Sequence, residues 1–326
     1  MTGLSVSVAL CTYNGAAFIE EQVCSILDQS VPPVEVVVAD DGSTDNTLEL
    51  VARAFARRPG SPVSLRILDD AAHLGVTANF ERAISATTGD LIALCDQDDV
   101  WHTDRLAAAV PRFVDDPGLL FLNSDATLVG VDGETRGDSL FEALRFSRRE
   151  RLLIDSDRAF DAYIRRNLAT GATSVVRRAL VRSATPFPTE WVHDEWLAII
   201  AAATGRLHYV DLPLIDYRQH QSNQIGVAAP TFRHRLSRLL EPRGSRYAIL
   251  AARSALLVSR LQELGAKPEV ISLAADKVRF ESSRAELPAR RINRLRAVLA
   301  EYRRGSYDRL SSQGNMDVLR DLLQPD

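Results

Sequence analysis

Three carboxylates crowd a four-residue window in Cys95-Asp-Gln-Asp-Asp-Val-Trp101, at the end of the apolar run Leu91 to Leu94. Like charges this close disfavour full ionisation unless a cation shares the site. Asp96 and Asp98 are alternate residues, so in extended chain they point the same way. Hard oxygen ligands of this kind suit Mg²⁺ or Mn²⁺ beside a diphosphate. Capping of the helix expected near His102 would use the same residues without any metal. Two more polar clusters follow apolar runs, Cys11-Thr-Tyr-Asn14 and Asp40-Asp-Gly-Ser43. Asp40 and Asp41 could accept hydrogen bonds from a ribose or a base N–H, and Tyr13 offers a ring for stacking, which are nucleoside-binding chemistries. The first turn, TYNGAAF, has neither the GxGxxG of dinucleotide sites nor the GxxxxGK[ST] of phosphate loops, which disfavours a dehydrogenase or a P-loop ATPase.

The elements that must position these clusters alternate two periods. SVSVAL is short, β-branched and apolar, and GAAFIEEQVCSILDQ after it repeats apolar residues at helical spacing. VEVVVAD, PVSLRIL and DLIALCD read as three more strands, separated by the helices TLELVARAFARR and VTANFERAISA. Ser43 to Thr47 supplies N-cap residue types for the first of these helices. Repeated β-α-β with apolar strands predicts a mainly parallel sheet covered by helices on both faces, and each polar cluster then lies past a strand carboxyl end, where open α/β sheets place ligands. Beyond Trp101 the pattern predicts a helix to about Val114, a strand pair over Gly118 to Val129 with a VDGE turn, and an irregular or helical Arg-rich stretch from Gly137 to Arg166. ATGATSVVRRAL reads as a strand entering a helix, HDEWLAIIAAATG as a helix closed by Gly205, and LHYV and LPLIDYR as short strands. From about Pro230 the pattern is helical, so a domain over 1–228 is expected to be followed by a helical subdomain over 229–326.

A chain of 326 residues with net charge -4 can bury one large core or two modest ones, and its charge argues against non-specific nucleic-acid binding. Cys11, Cys24 and Cys95 lack CxxC spacing and sit among apolar neighbours, which predicts reduced core thiols. The N-terminus enters a strand with no basic segment before it, so no signal peptide is expected. No apolar run approaches the roughly 20 residues of a membrane-spanning helix. The expected location is cytoplasmic, with a peripheral contact at the inner face of the plasma membrane left open to the basic faces of the C-terminal helices.

Four motifs in order, SVALCTYNG, VVVADDGSTDNT, HLGVTANFERAI and ALCDQDDVW, closely resemble the inverting family-2 glycosyltransferases of the glycosyltransferase A fold. The nearest flavour is that of rhamnosyltransferase-like enzymes of bacterial surface polysaccharide assembly, and the likeness runs over roughly residues 5 to 225. The resemblance implies a Rossmann-like mixed sheet, a nucleoside diphosphate sugar donor, a saccharide or lipid-linked acceptor, and a divalent metal, Mn²⁺ or Mg²⁺. It assigns the donor to Thr12, Tyr13, Asn14, Asp40, Asp41, Asn79 and Asp96, with Tyr13 on the base, Asp41 at the base edge, Asp40 supporting the turn and Asp96 facing the ribose. Asp98 becomes a metal ligand, and Asp99 shapes its loop.

Two later segments extend the likeness. Val192-His-Asp-Glu-Trp196 matches an HDxW element whose Asp is the general base, making Asp194 the implied catalytic residue and Glu195 its rival. Adjacent helical residues diverge by about 100° and cannot both face one site. Tyr217-Arg-Gln-His220 matches a YRxH element that returns an imidazole to the metal or diphosphate, so His220 is the metal ligand implied beside Asp98, and Arg218 a phosphate contact. Gly171 and Thr173 of the TGAT stretch, together with Trp196, are assigned to the acceptor side; for Trp196 interior packing is the commoner use. His73, His102, His193, His208 and His234 are read as surface or core residues. The reaction implied is one displacement with inversion and no covalent sugar–enzyme intermediate. A sugar nucleotidyltransferase and a non-catalytic nucleotide-sugar sensor are the alternatives; the first would want a Gly-rich basic loop after strand one, and the second would not need Asp194.

Overall fold

The alternation of apolar strands and amphipathic helices does build one sheet flanked by helices. The computed structural model describes residues 3–69, 73–220 and 243–325. Its elements run β1 (Val6–Thr12), α1 (Ile19–Leu27), β2 (Glu35–Asp40), α2 (Thr47–Ala56), β3 (Ser64–Ile67), α3 (Val76–Ala86), β4 (Leu91–Cys95), β5 (Val100–Trp101), α4 (Arg105–Asp115), β6 (Leu119–Val129), β7 (Thr135–Ser139), α5 (Leu140–Ala143), α6 (Arg148–Asp155), α7 (Ala159–Tyr163), β8 (Ser174–Arg177), α8 (Arg178–Ala184), α9 (His193–Thr204) and β9 (Arg206–Arg218). Two compact units result: Met1–Arg151 with Leu168–Val227, and Leu152–Asn167 with Ala228–Asp326. The stretch 152–167, assigned by the sequence reading to the first domain, therefore groups with the C-terminal unit. The expected boundary at 228 and His234 lie outside the described residues.

The sheet order is β3-β2-β1-β4-β8-β6-β9-β5, with β7 paired to β6. β1 is parallel to β2 on one side and to β4 on the other, Ala9 lying opposite both Val37 and Leu94. The chain thus reverses its direction of travel across the sheet beside β1, and such a switch point opens a crevice at the strand carboxyl ends. Beyond β4 the sheet turns mixed: β8 is antiparallel to β4 and β6, while β9 is parallel to β6. Nearly every residue of β1, β2 and β4 is buried, which is why their sequences read as unbroken apolar runs. Val8, Leu10, Val36, Val38 and Ala93 pack with Ile19, Val23 and Val51 of the helices in the main core.

Several local expectations change. Gly118 to Val129 is not a strand pair: β6 alone spans it, and the turn at Gly130–Glu134 leads to β7. LHYV and LPLIDYR join into the 13-residue β9, whose pairing with β6 is irregular between Val210 and Pro213; proline has no N–H for a ladder, and an irregularity absorbs that loss. Gly205 follows α9 with φ -154, an extended rather than left-handed conformation. Glycine is needed there for space, since a Cβ would come within 2.4 Å of Leu120 Cδ1. The polar run before α2 makes no side-chain cap; its hydroxyls and carboxylates tie two loops together instead. The three cysteines are free thiols, as read, and burial raises those of Cys11 and Cys95.

Within the second unit, arginines serve the interior. Arg284 pairs with Asp321 (Nε–Oδ2 2.8 Å) beside Glu281, and Tyr247 and Tyr307 donate to the same Asp321 carboxylate at 3.0 and 2.7 Å. Arg294, fully buried, donates to the carbonyls of Pro288, Ala289, Asp321 and Gln324. Buried charge is tolerable when paired and hydrogen-bonded in this way.

Candidate active site

The loops at the strand ends are tied to one another by side-chain hydrogen bonds. Thr12 Oγ1 donates to Asp40 Oδ1 at 2.6 Å, and the same carboxylate accepts from the Gly42 and Ser43 N–H groups at 3.1 and 2.7 Å. Asn14 sits at φ 49, a left-handed position that asparagine tolerates; its Oδ1 accepts from Thr44 N–H at 2.8 Å. Asp41 accepts from the N–H groups of Leu74 and Gly75 at 2.6 and 3.0 Å, and His73 Nδ1 lies 3.0 Å from its Oδ2. Asn79 is buried and donates to the Ala39 carbonyl at 2.7 Å. Thr12, Asn14, Asp40, Asp41 and Asn79, all assigned to the donor, are thus brought together at one rim, and all are engaged in building it. Tyr13 is different: its ring is 43% exposed and lies 5.0 Å from that of His73.

The acidic loop closes on the end of β9. Asp98 Oδ2 is 2.7 Å from His220 Nε2, and the imidazole stacks on Phe18 with centroids 5.1 Å apart. Asp99 is buried and accepts from the Arg218 N–H at 3.0 Å, which fits the loop-shaping role read for it. Burial, then Asp98 and Asp194, raises the Asp96 carboxyl, so the cluster is short of positive charge. The residue types fit a hard divalent cation: a carboxylate oxygen and an imidazole nitrogen lie adjacent, with substrate phosphate oxygens and water left to complete the shell. No group of three His, Cys, Asp or Glu side chains forms a metal cage among the described residues, and a cation shared with a diphosphate does not need one.

Arg218 is not disposed as a phosphate contact. Its guanidinium is buried, with Nε on the Asp98 carbonyl at 2.8 Å, Nη1 on the Val131 carbonyl at 3.1 Å and Nη2 on Glu21 at 2.7 Å. It clasps the acidic loop to the end of β9. Arg218→Met is expected to lower stability by about 2 kcal/mol, because three charge-assisted bonds of a buried guanidinium are lost. Thermal melting checks this; an unchanged melting temperature with a raised donor KM would restore the phosphate role.

Near the acidic loop, the first turn of α9 carries Asp194. Its Oδ2 accepts from Gly171 N–H at 2.9 Å and its Oδ1 from Glu195 N–H at 2.6 Å. Burial pushes its pKa from 3.8 up to about 6 against the pull of those two N–H groups. Two lone pairs remain, so an oriented carboxylate can still take a proton. His193 is a core imidazole, as read: it stacks on Phe80 at 3.7 Å, and burial holds its pKa down to about 3. Gly171 makes room for it, since a Cβ would lie 2.7 Å from His193 Nε2. Gly171→Ala is expected to cost about 1–3 kcal/mol through this overpacking and to slow the reaction by displacing Asp194, measured by melting and initial rates.

Two acceptor-side assignments fail. Trp196 is fully buried, with Nε1 donating to the Ala184 carbonyl at 2.8 Å and its ring tilted against Trp191, so it offers no platform to a sugar. Thr173 is buried too, and its hydroxyl donates to the Thr170 carbonyl at 3.0 Å. Both lie on the interior side of elements whose apolar content demanded burial.

Three residues escaped sequence reasoning. Gln97 pairs through its amide with both backbone groups of Tyr13, at 2.8 and 3.0 Å, locking the first loop to the acidic one. Its placement between Asp96 and Asp98 meant that it had to point the other way, a signal available in the sequence. Arg105 is fully buried beneath the cluster, 3.7 Å over the Trp101 ring, with Nη2 3.3 Å from the Leu94 carbonyl. Burial lowers its pKa to about 10, which leaves it cationic at neutral pH, and its charge lowers both Asp96 and Asp99. An arginine at the head of the buried 105-109-113 stripe of α4 was the clue. His73, read as bland, joins Tyr13 and Asp41 at the rim.

Residues 7–182 match the family model described as Glycosyl transferase family 2. The chain belongs to that family. This glycosyltransferase is 28% identical over 245 residues to the dTDP-rhamnosyl transferase RfbG of Shigella flexneri, covering 71% of this chain and 78% of RfbG. Of three mycobacterial relatives matched at the same identity it spans 59% of the length. Among solved structures it is similar to S. aureus TarS in complex with UDP-GlcNAc, with a TM-score of 0.57 at 18% identity over 97% of this chain and 90% of that one. It is also similar to the Pyrobaculum calidifontis mannosyltransferase PcManGT in complex with GDP-Man and Mn²⁺, with a TM-score of 0.51 at 21% identity over 94% and 77% of the two chains. The fold expected from the motifs, a glycosyltransferase A fold with C-terminal helices, is the one observed. No helix among the described residues of the glycosyltransferase is long and apolar enough to cross a membrane.

Proposed function

We propose that the glycosyltransferase moves a hexosyl group, rhamnose first, from a nucleoside diphosphate to a saccharide or lipid-linked saccharide in the synthesis of cell-surface polysaccharide, with inversion, at the cytoplasmic face of the membrane. The observation that carries this reading is the nearness of Asp194, a buried carboxylate held by the Gly171 and Glu195 N–H groups, to the acidic loop, close enough for its charge to raise the Asp96 carboxyl, with Asp98 of that loop paired to His220. The likeness to RfbG supports a dTDP-rhamnose donor, and Mn²⁺ with a nucleotide sugar in PcManGT supports the metal.

Tyr13 would stack on the base at a rim held by Asp40, Asp41 and Asn14, and Asp96 would face the ribose. A divalent cation bound by Asp98 and His220 would supply Lewis-acid neutralisation of the departing diphosphate. Asp194 would accept the proton of the acceptor hydroxyl while that oxygen bonds to the anomeric carbon and the bond to diphosphate breaks. The rise of its pKa to about 6 makes it a stronger base than a solvated carboxylate while leaving it ionised at pH 7.

The test offers dTDP-rhamnose, UDP-GlcNAc and GDP-Man in turn, with Mn²⁺ or with chelator, and follows release of the nucleoside diphosphate in the presence of soluble and lipid-linked saccharides. Metal-dependent release from dTDP-rhamnose supports the reading. Release from another donor alone would replace the sugar assignment, and equal turnover in chelator would remove the metal.

A further inference from the structure

The segment Pro288 to Arg304, PARRINRLRAVLAEYRR, carries six arginines and one acidic residue, Glu301. That carboxylate is buried against Arg279, Arg304 and Ser306, and Arg294 is spent on interior carbonyls. The surface of the segment is therefore left with cations only. Arg290, Arg291, Arg296 and Arg303 are exposed, with no ion-pair partner among the described residues. Between them stand large apolar side chains in the open: Ile292 is 82% exposed, Leu295 50%, Leu299 40% and Tyr302 52%.

These positions form a stripe. Along the helix Leu295–Arg303, at about 100° per residue, Leu295, Leu299 and Tyr302 fall within roughly 60° of one another, and Arg296 and Arg303 lie together on one flank. Val298 and Glu301 hold the opposite flank in the core of the unit. Ile292, in the preceding 3-10 turn, extends the stripe toward Arg290 and Arg291. A helix that shows water an apolar line bordered by arginine, with no exposed carboxylate, has the character of a segment that lies in a membrane interface. Tyr302 adds the amphipathic ring that favours the headgroup level.

We infer that this face docks on the anionic phospholipid surface of a membrane, with Ile292, Leu295, Leu299 and Tyr302 entering the headgroup boundary and Arg290, Arg291, Arg296 and Arg303 meeting lipid phosphates. The arginines choose this occupant over a second copy of the chain. A two-fold contact through one patch would set arginine against arginine, whereas anionic lipid complements every one of them. The surface bears on the lipid-linked acceptor of the reading above. Vesicle partitioning needs neither donor nor acceptor, so failure of one is distinguishable from failure of the other.

The experiment is flotation of the full chain with phosphatidylcholine vesicles and with mixed phosphatidylcholine–phosphatidylglycerol vesicles, at low and high salt. The wild type is expected to float with the anionic vesicles only and to be released by salt. Arg296→Gln with Arg303→Gln should weaken partitioning about 25-fold, from roughly fivefold for each charge near the surface. Ile292→Ser with Tyr302→Ser should weaken it at least about tenfold. Unchanged melting curves confirm that these exposed variants fold. Failure of the wild type to float at low salt, equal flotation with neutral vesicles, or variants that float like wild type would overturn the proposal. So would a dimer in light scattering that Ile292→Ser with Tyr302→Ser dissolves while no vesicle is bound.

Discussion

Asp194→Asn is expected to lower kcat by about 10²–10⁴ while leaving the donor KM within a few-fold, because the amide keeps the shape and an acceptor but cannot take a proton. In the wild type, kcat/KM should fall as pH drops through about 6, since only the ionised carboxylate accepts the proton. A normal carboxylate would hold its activity down to near pH 4. The same rise in pKa works against the fold. A carboxyl whose pKa rises on folding binds its proton more tightly in the native state, so its contribution to stability is greatest below about 4 and declines as pH rises through about 6. At pH 7 its ionisation costs roughly 3 kcal/mol, since each tenfold change in proton affinity is worth about 1.4 kcal/mol. Asparagine removes that cost but accepts only one of the N–H bonds from Gly171 and Glu195, each worth about 1 kcal/mol. The variant should therefore melt a few degrees higher while being nearly inactive. Full activity in Asp194→Asn would move the base elsewhere, first to Glu195, and a lower melting temperature would show that the two N–H bonds outweigh desolvation.

The second large effect concerns Asp98 and His220. In a thermal-shift panel of nucleoside diphosphates with and without Mn²⁺, one diphosphate should raise the wild-type melting temperature only when the metal is present, by mass action on the native state. Asp98→Ala and His220→Ala should each abolish that stabilisation and lower turnover by about 10³, as the leaving diphosphate loses several kcal/mol of charge stabilisation. The double variant should be little worse than either single one, because both side chains act through one group. Each variant also breaks the 2.7 Å bond between them, so melting without ligand supplies the baseline. A metal-dependent stabilisation of full size in Asp98→Ala would exclude this carboxylate as a ligand and return the acidic run to helix capping and solvation.

Arg105 gives a physical reason why three carboxylates can crowd so closely. Asp96, Asp98 and Asp99 share one loop, and a permanently charged guanidinium beneath them offsets part of their repulsion from the protein side. In the proposed reaction a second cation, held by Asp98 and His220, would complete the neutralisation.

Periodicity and turn residues were enough to read the strands and helices of the first half and the carboxyl-end location of the three polar clusters, and four ordered motifs were enough to read the family. Period and turn chemistry are local, so they survive in one dimension. The pairing of Asp98 with His220, 122 residues apart, was legible only by resemblance, since no local pattern links them. Which polar residues are spent inside the rim emerged only from the packing of one loop on the next. Asp40, Asp41 and Arg218 have the right chemistry for a ligand, yet each is engaged in joining loops, because backbone groups at the strand ends must find partners. Trp196 and Thr173 went to the interior with the apolar elements that carry them. The role of Gly171 was hidden as well: its need is not a turn but the 2.7 Å approach to His193, a distance that exists only once α9 has packed.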